Sequence, residues 1–169
     1  AAVNPKLRAS ALAHLKAAAE QLPDVVEAQA RYGVALILSQ ELNLGRQYLQ
    51  NALRLGNAEP QYQVWAAWSM VQAGYPEEAE PIVEHLRNGL SQGRISRDLE
   101  ATVHLLSGEV HQARRSPADL AKAVAEFERS YPGKTPPPAI LLRMAQIDVQ
   151  LGKPDSALKR IDALRASGQ

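Results

Sequence analysis

The chain has no cysteine. Disulfides, thiolate nucleophiles and cysteine-based zinc sites are excluded, while the choice between a reducing and an oxidising compartment stays open. Aromatic residues are scarce, 5% of 169 residues with a single Phe; a β-sandwich would want more aromatic and β-branched side chains. An excess of either charge is also missing: 19 basic residues face 18 acidic ones, a net charge of +1. That balance gives no electrostatic reason to expect nucleic acid or an anionic membrane as partner. Long apolar runs are absent too. The stretches 34–38 and 139–142 are far short of the roughly 20 residues that a membrane helix needs. The start, Ala1-Ala2-Val3-Asn4, lacks the charged region and apolar stretch of a signal peptide. A first residue other than Met points to a processed or excised piece.

What is present is alanine and a globular balance, 46% hydrophobic and 22% charged. This suits one domain or one array of closely packed helices. Small residues recur along the chain: Gly33, Ala52, Gly74, Ala79, Gly108, Ala145, Gly152 and Ala157. Aligning on them gives segment starts at Val26, Pro60, Ala101 and Pro138, which are 34, 41 and 37 residues apart. A period near 34 residues with small residues at fixed offsets marks stacked helix–turn–helix repeats.

Each segment reads as two amphipathic helices. Asn4-Pro5 and Ser116-Pro117 place a capping side chain before a proline at the first helical position. Asp119 follows Ser116 at capping-box distance. Gly74-Tyr75-Pro76 and Gly152-Lys153-Pro154 put glycine where a left-handed residue closes one helix and proline where the next opens. Ala66, Ala67 and Met70 share one helix face, as do Ala79, Val83 and Leu86; Met144 and Ala145, then Ala157, Ile161 and Leu164, repeat both sets. Leu120, Val124 and Phe127 serve the third segment, and Ala11, Leu15 and Ala18 fit a lone helix ahead of the first. About nine helices are expected, all-α. A lone helix over 5–22 precedes repeats over about 26–59, 60–93, 94–134 and 138–169, in a single array across 1–169.

Three places break the pattern. About seven extra residues between Arg87 and Glu100 are expected to lengthen a loop or the helix after it. Thr135-Pro136-Pro137-Pro138 inserts a stiff polyproline step. Pro81 falls inside a predicted helix, at a cost of roughly 3 kcal/mol in a helix interior, so that helix should start late or kink.

These residues resemble the tetratricopeptide repeat family. Tyr32-Gly33 match its Leu-Gly pair; Gly74 with Ala79 and Gly152 with Ala157 match its turn glycine and tight alanine; Ala18 and Ala52 match its later alanine, and Pro23 and Pro132 its closing proline. Leu49, Val83, Val124 and Ile161 stand at its large second-helix position. Gln63 replaces the expected Trp, and Gly45 and Leu120 replace the tight alanine, so repeats one and three should pack less regularly. The resemblance implies a right-handed α-solenoid of antiparallel helix pairs whose first helices line a concave groove for peptides or partner helices. The family's carboxylate clamp is missing: its positions read Ala30, Val34, Trp65, Thr102 and Leu106. With no polar capping helix after Leu164, the chain is expected to be part of a longer array.

Catalytic signals are weak. Glu100, His104 and His111 could share a helix face, but at a spacing wider than metal sites use. Ser156-Ala157-Leu158-Lys159 fits Ser-x-x-Lys without its companion motifs, and no phosphate loop, nucleophile elbow or His-Glu-x-x-His occurs. Arg94, Arg97, Arg114 and Arg115 make the third segment locally basic, either a solvated face or a patch for an acidic partner. Trp65 and Trp68 are the leading binding candidates: they anchor a partner's apolar side chain or fill space between repeats. The expected groove set is Arg31, Val34, Leu38, Gln61, Trp65, Trp68, Gln72, Arg143 and Gln146. The expectation is a soluble, non-enzymatic scaffold for another protein or peptide, cytoplasmic or periplasmic, with no cofactor, metal, nucleic acid or membrane insertion. The alternative is a spacer or self-association segment of a larger cell-envelope or regulatory protein.

Overall fold

The structure, a computed structural model, describes residues 5–55 and 59–166, with side chains from residue 9 onward. The described residues form nine α-helices and no strand: α1 (Pro5–Gln21), α2 (Val26–Leu38), α3 (Leu42–Leu55), α4 (Pro60–Gln72), α5 (Pro76–Ser91), α6 (Glu100–Arg114), α7 (Pro117–Arg129), α8 (Pro138–Gln150) and α9 (Pro154–Ala166). Six of the nine begin at a proline, where its fixed φ suits the helix and its missing N–H has no intrahelical partner to lose. The chain divides into two compact units, 1–82 and 83–169. In the first, α2 packs on α1, α3 and α4; in the second, α6 packs on α7, α7 on α8, and α8 on α9.

The turn between paired helices is built the same way three times. After α4, Gly74 takes φ 89°, its N–H donates to the Val71 carbonyl at 3.0 Å, and the Tyr75 N–H reaches back to Met70 at 2.8 Å. After α8, Gly152 at φ 69° bonds Val149 and Lys153 bonds Asp148. These two hydrogen bonds close the orphan carbonyls of a helix end around a left-handed residue. The same pair follows α2, but Gln40 occupies the left-handed position at φ 69°. A non-glycine residue there costs about 1–2 kcal/mol. Its side chain answers that cost, donating to the Ala73 carbonyl and accepting from the Tyr75 hydroxyl, both at 3.1 Å. The turn after α2 is thereby tied to the turn after α4.

Ser116 caps α7 as expected, its Oγ accepting from the Asp119 N–H at 3.0 Å. The Asn4 cap lies outside the described residues. Pro81 sits inside α5, which nonetheless starts at Pro76, so the late start is not taken. The extra residues before Glu100 extend the helix that precedes them, α5, to 16 residues and then form a short 3-10 turn, Arg97–Leu99. Ile95 folds back there and is buried over Gly89, where an added Cβ would come within 2.5 Å of its Cδ1.

Gly45 packs α3 tightly against α2. A Cβ on Gly45 would meet the Gly33 carbonyl at 2.8 Å and the Ile37 side chain at 2.6 Å; one on Gly33 would meet the Gly45 carbonyl at 2.9 Å. The two glycines let α2 and α3 touch backbone to backbone. Gly45→Ala should therefore destabilise the protein by about 1–2 kcal/mol, overpacking outweighing the roughly 1 kcal/mol by which alanine favours a helix. A lowered urea midpoint checks this; a raised one would contradict the close approach. Leu120 is buried with Ala123, Phe127, Ile140, Met144 and Ile147 in the core of unit 2.

Candidate functional site

In unit 1, α4 buries one side and offers the other. Ala66, Ala67, Ser69 and Met70 are buried. Trp65 and Trp68, three residues apart and so on one face, remain 37% and 45% exposed. For side chains this large in a chain with so few aromatics, that exposure departs from the usual fate of tryptophan. Tyr62 meets Trp65 edge to face at 5.5 Å. Opposite, α2 presents Arg31, Val34, Ala35 and Leu38 at helical spacing, and α1 adds Leu15. Together with the two tryptophans they line a cavity of about 390 Å³.

The chemistry of this cavity is apolar. Its one charged side chain, Arg31, is bonded through Nε and a terminal nitrogen to the Glu27 carboxylate at 2.9 and 2.6 Å. The rim is thus close to neutral, and the walls offer aromatic and aliphatic surface without a nucleophile or an acid–base pair.

No protein-family model, curated protein or solved structure significantly matches this chain. The functional reading therefore rests on geometry.

Five of the nine expected groove residues, Arg31, Val34, Leu38, Trp65 and Trp68, come together here. Gln61 is exposed and bonded to Glu59 at 3.0 Å, and Gln72 is exposed at the end of α4; neither lines the cavity. Arg143 and Gln146 belong to unit 2. Gln146 is exposed, whereas Arg143 spans two helices: its guanidinium donates to Gln112 and Glu109 on α6 at 3.0 Å and lies 4.9 Å over the Phe127 ring. Leu15 and Ala35 were not among the expected groove residues. Leu15 had read as packing surface of a lone helix, and an alanine between two larger wall residues gives no sequence signal.

The histidines of α6 pair with α7 instead of gathering around a metal. His104 Nδ1 lies 2.6 Å from Glu126 Oε2, and His111 Nδ1 lies 3.2 Å from Asp119 Oδ1. Burial pushes the Glu126 carboxyl up, but the His104 hydrogen bond and the nearby Arg87 and Arg129 charges outweigh it and hold the group below the usual carboxylate range. Among the described residues no group of three or more His, Asp or Glu could hold a metal ion, and no helix is long and apolar enough to cross a membrane.

Proposed function

We propose that this chain is a protein-interaction module of tetratricopeptide-repeat type, a right-handed solenoid that carries no catalytic step. Its unit 1 groove docks the apolar side chains of a peptide or partner helix. The observation that carries this reading is the half-exposed Trp65 and Trp68 facing aliphatic residues of α2 across an apolar cavity. Exposed tryptophans flanked by a water-excluding rim are the residue type in which binding energy concentrates. An amphipathic helix supplies matching anchors at i, i+3 and i+4. The neutral rim favours uncharged anchors over a carboxylate.

Trp65→Ala with Trp68→Ala should weaken binding of peptides selected from a displayed library by at least about 30-fold, the equivalent of one hot spot. Stability should change little, because exposed substitutions shift it by about 0.5 kcal/mol or less. Calorimetric titration with the selected peptides, alongside circular dichroism of the variant, checks both parts. Equal affinity for the double variant, or selection of no apolar peptide, would remove the groove from consideration and leave self-association, read by light scattering, as the role to pursue.

A further inference from the structure

Unit 2 contains a second cavity, of about 330 Å³, whose chemistry is different. Arg87 and Leu90 on α5, Arg97 in the 3-10 turn, and Glu100, Val103 and His104 on α6 line it. Two guanidinium groups thus border a hollow that Leu90 also lines. Among the described residues no side-chain acceptor holds the exposed Arg97. Arg87 approaches Glu126 only to 3.7 Å, beyond hydrogen-bond distance. Glu126 has nearer donors, His104 at 2.6 Å and Arg129 at 2.9 Å. Its carboxylate is therefore occupied without Arg87, and the Arg87 fork keeps donors to offer. Because Glu126 engages His104 through Nδ1, Nε2 is the ring nitrogen left for a ligand.

We propose that this cavity binds a carboxylate on a short aliphatic stem, with Arg87 and Arg97 donating to its oxygens and Leu90 against the stem. Guanidinium forks match a planar carboxylate. Against the single lining carboxylate, Glu100, the two arginines leave one positive charge, which a monoanion balances and a phosphate dianion exceeds. Two sources carry this chemistry: a glutamate side chain on a partner protein, or a free aliphatic acid. The inference stands on unit 2 residues alone and does not depend on the tryptophan groove.

The test titrates the whole isotope-labelled protein with butyrate and, separately, with a capped peptide containing one glutamate, following the Arg Nε–Hε and Val103 amide resonances. With either probe the shifts should map to Arg87, Arg97 and Val103, with millimolar affinity for the small probe. Arg97→Ala, an exposed change that leaves the fold intact, should weaken binding about tenfold, as loss of a charge-assisted hydrogen bond does. Arg94→Ala, also exposed but outside the cavity, should leave it unchanged. A peptide that binds more tightly than butyrate, and whose glutamine counterpart does not bind, identifies a partner side chain as the source; butyrate binding at least as tightly identifies a free acid. Absence of shifts at Arg87 and Arg97 with both probes overturns the assignment. So does equal binding by Arg97→Ala, or tighter binding of inorganic phosphate than of butyrate.

Discussion

Replacing Phe127 by alanine is expected to destabilise unit 2 by about 3–5 kcal/mol, the range for deleting a buried aromatic ring. Phe127 is the only phenylalanine in the chain and is fully buried. It packs with Leu120, Ala123, Ile140, Met144 and Ile147, so its ring joins residues of α7 to residues of α8. On a third side it lies on Gly108 of α6, where an added Cβ would come within 2.6 Å of the ring. A glycine has no side chain that could relax into the space, so the cavity left by alanine would persist on that side. The Arg143 guanidinium, 4.9 Å from the ring centre, would lose its stacking surface as well, a contribution of about 0.5–1 kcal/mol at a partly exposed site. Domains of ordinary stability have about 5–15 kcal/mol in total, so the variant should be close to unfolding in this unit. Urea unfolding followed by circular dichroism, with amide exchange read in α6 to α8, measures it. Both tryptophans lie in unit 1, so the readout needs a probe within unit 2 itself. A loss under about 1 kcal/mol would mean that the ring is not packed as described.

Most of the helix layout was legible because its punctuation is local. Pro76, Pro117 and Pro154 open helices and Gly74 and Gly152 close them, and each signal acts within four residues. The turn after α2 was not legible. Gln40 carries no sign of a left-handed backbone; the partners that stabilise it, Ala73 and Tyr75, lie 33 and 35 residues away. Ile95 is a similar case, since its burial depends on a glycine side of α5 that only the folded loop reveals. For the groove, matching offsets in the resembled repeat put Trp65, Trp68, Arg31, Val34 and Leu38 in one expected set. That Leu15 and Ala35 border the same cavity is a consequence of α2 packing on α1 and α4. Offset within a repeat also says nothing of who claims a side chain. Arg143 shares its offset with Arg31, yet Glu109 and Gln112 of the neighbouring helix hold its guanidinium. Arg97 drew notice as part of a basic segment, while Arg87, which shares its cavity, did not, because it sits ten residues earlier on another helix.

Asp148→Ala should be a strongly damaging polar change, costing about 3–5 kcal/mol, as removing one member of a buried ion pair does. Asp148 is buried on α8, and its Oδ2 accepts from Arg160 Nε at 2.6 Å. The Arg160 side chain is only 16% exposed. Burial disfavours its charge, but the Asp148 and Glu128 carboxylates more than compensate and raise its pKa above the ordinary arginine value. Glu126 offers the instructive contrast. Its nearest partners are the His104 ring nitrogen and the exposed Arg129 guanidinium. Arg160, by contrast, is an arginine held mostly out of water, and arginine stays charged in proteins. With Asp148 gone, Arg160 would keep Glu128 at 2.8 Å, a carboxylate largely in water, and would leave its Nε end buried without an acceptor. The expected order follows from this. Glu128→Ala, at the exposed end of the fork, should cost under about 1 kcal/mol. Asp148→Ala should cost several times more. Asp148→Ala combined with Arg160→Met should recover part of the loss, because no unpaired charge remains. Urea midpoints of the three variants, taken together, decide the matter: if Asp148→Ala costs no more than Glu128→Ala, or if removing Arg160 recovers nothing, the buried pair is not what holds α9 against α8.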